Sequence, residues 1–534
     1  MGRVLAVGLD AADAGLVLGW AREGSLPMLG SLLASGSVAR LRSRGDVFPE
    51  SAWPTISTGL DVGGHGVYNW RTVRPGTYER GLAPLGRDAP FWAGLESALV
   101  VDVPYTAPLR RDGLTEIAAW GQRGASAEAS WPAGLLDEVR SRHGAYPPWV
   151  HFHHHRGSLG SVRMLRTLER MAGVRTDLVS RLMASVPWSL CLVNYSETHN
   201  AGHEFQRWLD PEAWSRRGGR GSHDGLLRVY RAADEGLRRL VAAAGPDADV
   251  VVFSGMGLTR NGASSDLLGA VVERLGYQVR PEPGAGGLAA RPVQLARRVL
   301  PWSVRRLLHF RLSPEQQERV MVGIWLGSID WQRSRAFAES EPHGWIRLNV
   351  RGREPSGIVA PGAEYDALRS EIARELERLV DADTGRPVVD AVLRREDVAD
   401  PDEPRYAELP DLVVRWANDG LFRAVRHPTA GVVAQNVADV PYTEHTASAF
   451  AVLSGPSVRA GASASGSLLD LAPTLLTLLG EEVPAVMPGR PLDELLVPAA
   501  ADDDARAQPA VTSADAPATP PRPGPSAPRP RDAS

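Results

Sequence analysis

The 534-residue sequence predicts an α/β fold with a mostly parallel central sheet and helices on both faces. Short Val/Leu/Ala runs recur along the chain and end in polar or Gly-rich turns. Runs of that length, apolar on both faces, suit strands buried on both sides. Helical patterns separate them, and strand–helix alternation builds an open parallel sheet. A chain this long can bury a large core, so one large domain with insertions is expected rather than several equal ones.

Val4 to Leu9 reads as the first strand, closed by Asp10. Leu99 to Val103, Trp188 to Tyr195, Asp249 to Ser254 and Ala449 to Ser454 read the same way. Leu135 to Arg142 and Tyr365 to Val380 carry helical patterns. Ligands in such sheets gather at the carboxyl ends of the strands, so the residues just after each run matter most. From about Arg280 to Arg335, mixed basic and apolar residues predict a peripheral helical insertion. The folded domain is expected over 1–496. From 497 to 534 the chain is Ala/Pro/Asp/Arg-rich and lacks the apolar surface to offset ordering entropy, so this tail is expected to be disordered.

Composition excludes several classes. The net charge of −4 provides no global basic field, so nucleic acid and anionic lipid are not expected partners. One cysteine, Cys191, excludes an intrachain disulfide and a Cys-based zinc site, and its apolar flanks read as a buried strand. The N-terminus enters the first strand without a signal-peptide pattern, and no apolar run is long enough to span a bilayer, so a cytoplasmic location is expected.

Four segments could carry chemistry. Asp10 ends the first strand, where a carboxylate can hold a metal; a turn or cap role is the alternative. In Phe48-Pro49-Glu50-Ser51-Ala52-Trp53-Pro54, Pro54 suits the first turn of a helix and Ser51 lies near its N-cap. A helix start suits an anion such as phosphate. No Gly-x-Ser-x-Gly elbow surrounds Ser51, so a metal is its natural activator as a nucleophile. In Glu197-Thr198-His199-Asn200-Ala201-Gly202-His203, two histidines four apart share one face of a helix and can reach one metal. His445 follows Glu444 just before an apolar strand. The tract His151-Phe152-His153-His154-His155 reads as a half-buried loop with a structural role.

In order, these blocks resemble the type I phosphodiesterase / nucleotide pyrophosphatase family of the alkaline phosphatase superfamily, over nearly all of residues 1–495. Gly8-Leu9-Asp10 resembles the family's first strand. Thr58-Gly59-Leu60 through His65-Gly66-Val67 resembles the segment after its nucleophile, with His65 structural. His445, Ser454-Gly455-Pro456, Leu469-Asp470-Leu471-Ala472-Pro473-Thr474 and Met487-Pro488-Gly489-Arg490 resemble its terminal pattern. The resemblance implies an alkaline-phosphatase-like three-layer sandwich. It implies that Asp10 and Ser51 bind one metal, with Ser51 the nucleophile and Thr55 the alternative, and that His203 and His445 bind another. His199 stands where the family usually has Asp, and Glu197 offers a replacement carboxylate. Phe253 and Ser254 stand where the superfamily has an adjacent Asp-His pair. The implied activity is metal-dependent phosphoester hydrolysis, of diester or pyrophosphate type, through a phosphoseryl intermediate. The implied cofactor is one or two divalent ions, zinc first and manganese second, and the implied partner a small phosphorylated substrate. A non-catalytic binder, a phosphomutase and a sulfatase are the alternatives, although no Cys/Ser-x-Pro-x-Arg signature supports the last.

Overall fold

The computed structural model describes residues 2–121, 128–151, 158–209, 224–264, 266–282, 322–323, 325–339, 343–417, 421–435 and 443–498. His153, His154 and His155, most of the expected insertion and nearly all of the expected tail lie outside them.

The centre is a nine-stranded sheet. In chain order its strands are β1 (Arg3–Leu9), β2 (Ser37–Arg42), β3 (Ala98–Val101), β4 (Leu114–Ala118), β5 (Ala129–Trp131), β6 (Leu190–Tyr195), β7 (Ala248–Ser254), β8 (Ser448–Ser454) and β9 (Ser463–Ser467). Their spatial order is β9-β2-β8-β7-β1-β6-β3-β4-β5. The run from β7 to β4 is parallel throughout. The strand expected over Ala449 to Ser454 forms as β8, but it runs antiparallel to both its neighbours.

Period-two alternation gives the sheet two apolar faces. On β1, Leu5 and Val7 join the core that contains Leu165, Leu168, Val229 and Leu237. The last four come from two long helices, α2 (Ser158–Ser185) and α4 (Gly225–Ala244), which pack on each other. Val4 and Ala6 point the other way, into a core with Ile56, Leu471 and Leu475. Ile56 lies on α1 (Ala52–Thr58), and the two leucines lie on α5 (Leu471–Leu479). Helix, sheet and helix therefore form three layers. Neither α2 nor α4 stood out in the sequence, because their charged faces interrupt the apolar runs.

A second, antiparallel sheet carries the strands Ala336–Ala338, Gly344–Leu348, Leu412–Trp416 and Val389–Arg394, in that spatial order. It packs around its own apolar core with Leu368, Ile372 and Leu376, from the helix Ala363–Glu377 that the Tyr365 to Val380 pattern anticipates. Among the described residues, no helix is long and apolar enough to cross a membrane.

Candidate metal centre

Four chain segments meet at the carboxyl ends of the parallel strands, as the sheet rule requires. β1 delivers Asp10. β6 leads directly into the helix α3 (Ser196–Phe205), which carries His199 and His203. The short strand Thr443–Thr446 pairs with Gly257–Arg260, the segment after β7, and sets His445 opposite Leu258. α1 brings Trp53 against Asp10.

The three histidines converge by their Nε2 atoms. His199 Nε2 lies 2.8 Å from His203 Nε2 and 3.2 Å from His445 Nε2. Among the described residues they form the one group of three or more His, Cys, Asp or Glu side chains whose ligand atoms all lie within 4.8 Å of each other. The far side of each ring is held by an oxygen. His199 Nδ1 faces Asp10 Oδ2 at 3.3 Å, His203 Nδ1 faces Thr443 Oγ1 at 2.7 Å, and His445 Nδ1 faces Glu444 Oε1 at 3.3 Å. An ionised carboxylate only accepts, so Nδ1 of His199 and of His445 carries the proton. Their Nε2 lone pairs then point inward, which is the tautomer a metal ligand needs.

The electrostatics agree with this wiring. Burial alone would raise the Asp10 carboxyl, but His199 and the Trp53 N–H hold it below its usual range. Burial works against a charged His199, yet Asp10 and the more distant Glu50 raise it overall. His445 is lowered, by burial first and by repulsion from His199, against the pull of Glu444. Glu444 is shared, since His343 Nδ1 also lies 3.4 Å from its Oε1.

The residues singled out from the sequence are distributed as follows. His199, His203 and His445 come together. Asp10 reaches the group through His199, and its other oxygen accepts from Trp53 Nε1 at 2.9 Å. The expectation that Glu197 joins the cluster is not met. Two residues along a helix is about 200° around it, so Glu197 faces away from His199. Its carboxylate takes Arg175 Nε and Nη2, each at 3.1 Å, in a fully buried network with Asp102. Ser51 also stands apart. It is 1% exposed, and its Oγ donates to the Phe48 carbonyl at 2.7 Å. Ser51 and Thr55 line one cavity of about 330 Å³ together with Arg42, Arg44 and Ser467. His445 lines another, of about 340 Å³, with His343, Arg415 and Trp416. His65 is buried beside Thr55: Val67 N donates to its Nδ1 at 3.0 Å, and its Nε2 lies 3.2 Å from Thr55 Oγ1.

Phe253 and Ser254 are occupied as well. Ser254 Oγ accepts from Ala12 N and donates to the Met256 carbonyl. Phe253 packs edge-on against Trp53, with ring centroids 5.8 Å apart. Trp53, Thr443 and Arg175 were not legible as site residues. Trp53 and Thr443 lie inside or beside noted motifs, whereas Arg175 sits in a helix with no local signal.

Comparison with known proteins adds the following. The family model described as type I phosphodiesterase / nucleotide pyrophosphatase matches residues 4–426. No curated protein sequence matches the chain. Among solved structures, wild-type alkaline phosphatase PafA is 11% identical, with 93% of this chain and 100% of that one covered and a TM-score of 0.50. Murine ectonucleotide pyrophosphatase / phosphodiesterase 5 in complex with AMP is 13% identical over 93% and 100% of the two chains, at 0.48. Phosphonoacetate hydrolase from Sinorhizobium meliloti 1021 with phosphonoformate is 15% identical over 90% and 96%, at 0.46.

Proposed function

Because the chain belongs to the type I phosphodiesterase / nucleotide pyrophosphatase family of the alkaline phosphatase superfamily, we propose that it hydrolyses a phosphoester of diester or pyrophosphate type at the three-histidine centre. The observation that carries this reading is the convergence of three Nε2 atoms whose Nδ1 partners are already engaged. An all-imidazole donor set suits zinc, and manganese is the second ion to test. A divalent cation held by His199, His203 and His445 would supply Lewis-acid polarisation of a phosphoryl oxygen.

The chain's own residues do the positioning. Asp10, Thr443 and Glu444 fix the rings. The cavity beside His445 has the volume of a small-ligand site, and Arg415 and Trp416 give it a cation and an aromatic face. Ser51 is the nucleophile of this reading and Thr55 the alternative. Both hydroxyls lie one helical turn apart, in a cavity with Arg42 and Arg44, which suits an anionic phosphoryl group. In a phosphoseryl route Ser51 Oγ releases the Phe48 carbonyl and bonds to phosphorus while its proton passes to the leaving oxygen, which departs as the alcohol; water then cleaves the Oγ–P bond, releasing the phosphoryl product and restoring the Ser51 hydroxyl. A second reading, a binder of phosphorylated ligands without turnover, is favoured by one observation: Ser51 and His445 line separate cavities.

The test is hydrolysis of bis-p-nitrophenyl phosphate, p-nitrophenyl phosphate and p-nitrophenyl sulfate after chelation and after restoring zinc or manganese. The expected result is metal-dependent turnover of a phosphoester, lost in His203→Ala and reduced at least about 100-fold in Ser51→Ala. Full turnover by Ser51→Ala would remove the covalent step and leave the histidine centre. Silence of folded wild type on all three would favour the binder.

A further inference from the structure

We propose that this chain holds a single catalytic cation, on His199, His203 and His445, and that Trp53 takes the place of a second one at Asp10. The inference deepens the reading above and rests on its metal centre.

The oxygen of Asp10 that does not face His199 is taken by Trp53. Trp53 Nε1–H donates to Asp10 Oδ1 at 2.9 Å. An indole N–H is a donor with no lone pair to offer, so it directs positive polarity at the oxygen a second ion would need. The indole is fixed from two directions. Phe253 packs edge-on against it, and β1 approaches it at Gly8, where a Cβ would lie 2.6 Å from the ring. Only glycine permits that approach. Ser254, the other side chain at this end of β7, has its hydroxyl committed to Ala12 N and the Met256 carbonyl.

The remaining oxygen of Asp10 faces His199 Nδ1. Asp10 is therefore a positioning residue rather than a ligand: it holds the proton on Nδ1 and turns Nε2 toward His203 and His445. Glu444 stands in the same relation to His445, and the Thr443 hydroxyl, which can donate or accept, braces His203 Nδ1. His199 Nε2 lies 2.8 Å from His203 Nε2 and 3.2 Å from His445 Nε2, close enough for one cation to bridge all three. Ligands at about 2.05 Å in tetrahedral geometry stand roughly 3.3 Å apart, which matches the 3.2 Å of His199 and His445 and asks the 2.8 Å pair of His199 and His203 to open slightly. The group would therefore hold one ion through three imidazoles.

The experiment is zinc titration of the chelator-stripped full chain by calorimetry, with metal content measured after gel filtration and helicity checked by circular dichroism. Cobalt in place of zinc reports coordination number through its visible absorption. One ion per chain is expected, with a four-coordinate cobalt spectrum. Asp10→Asn should keep one ion per chain with affinity weakened about 10–100-fold, the effect of losing an outer-shell partner. His203→Ala should lose binding. Trp53→Phe, which deletes the N–H and keeps an aromatic ring, should also keep one ion. Two ions per wild-type chain would overturn the single-cation inference while leaving the hydrolase reading intact. No ion in folded wild type would overturn both. Unchanged affinity in Asp10→Asn, or a cobalt spectrum with Asp10 as a ligand lost in that variant, would overturn the positioning role.

Discussion

Arg175 shows how much of this site is decided by single side chains. It is completely buried on α2, between Asp102 after β3 and Glu197 in the first turn of α3. Gly121 N adds a hydrogen bond to the same Asp102 oxygen, and Ser196 Oγ accepts from the guanidinium. Desolvating three charges is expensive, and the network offsets that cost only while every partner is present. Since Glu197 lies two residues before His199, the same network anchors the turn from which the first imidazole projects. We predict that Arg175→Met, which leaves two buried carboxylates without their cation, costs about 3–5 kcal/mol of stability. Urea unfolding against wild type measures it, and a loss below about 1 kcal/mol would mean that the carboxylates find other partners. Glu197 illustrates a misreading the sequence could have prevented: once the segment is taken as helical, positions 197 and 199 cannot share a face.

Among the elements, α1 divides the functions between its sides. Trp53 faces Asp10, while Ser51 and Thr55, four residues apart, face the cavity with Arg42 and Arg44. His65 ends the short helix Val62–His65 and braces Thr55. Burial pushes its imidazole down to about 3, with Asp61 pulling weakly the other way. The unfolded chain binds a proton near pH 6.5 that the native ring does not bind until about pH 3. Between those values the unfolded state carries more protons, so stability rises with pH and is lost as pH falls from about 6.5 toward 3. The slope from this group approaches at most about 1.4 kcal/mol per pH unit. Urea midpoints from pH 7.5 to pH 5 should therefore fall less steeply in His65→Asn than in wild type. Parallel curves would show that His65 does not carry this dependence. The strands β1, β6 and β7 were legible almost to their ends because continuous apolar runs are local signals. The direction of β8 was not, since an apolar strand looks the same read in either sense.

Across the whole molecule, the topology assembles the centre. His199 and His445 are 246 positions apart in the chain. They meet because β6 lies beside β1 and because the segment before β8 pairs with the segment after β7. A cation on this centre would tie α3 to the Thr443–Thr446 strand, adding to the hydrogen bond between His203 Nδ1 and Thr443 Oγ1. A cation that binds the native state alone would add stability by mass action: about 2.7 kcal/mol at 100 times its dissociation constant. For a folded domain of this size that is roughly 2–3 °C in melting temperature. Scanning calorimetry should show the rise on adding zinc to stripped protein and its loss in His203→Ala. An equal rise in the variant would place the ion elsewhere.

Local pattern by itself determined the layered α/β class, the first strand with Asp10 at its end, and the pairing of His199 with His203 on one helical face. Each depends on a period of two or 3.6 residues, or on apolar composition over fewer than ten positions, and such signals survive without knowledge of neighbours. Only the tertiary structure decided which of those residues work together. His445 joins the histidine pair, Glu197 turns to Arg175, and the carboxylate of Asp10 is shared by an indole and an imidazole. Those contacts are made by side chains from different elements, and the sheet order that brings the elements together is written in no short window of the chain.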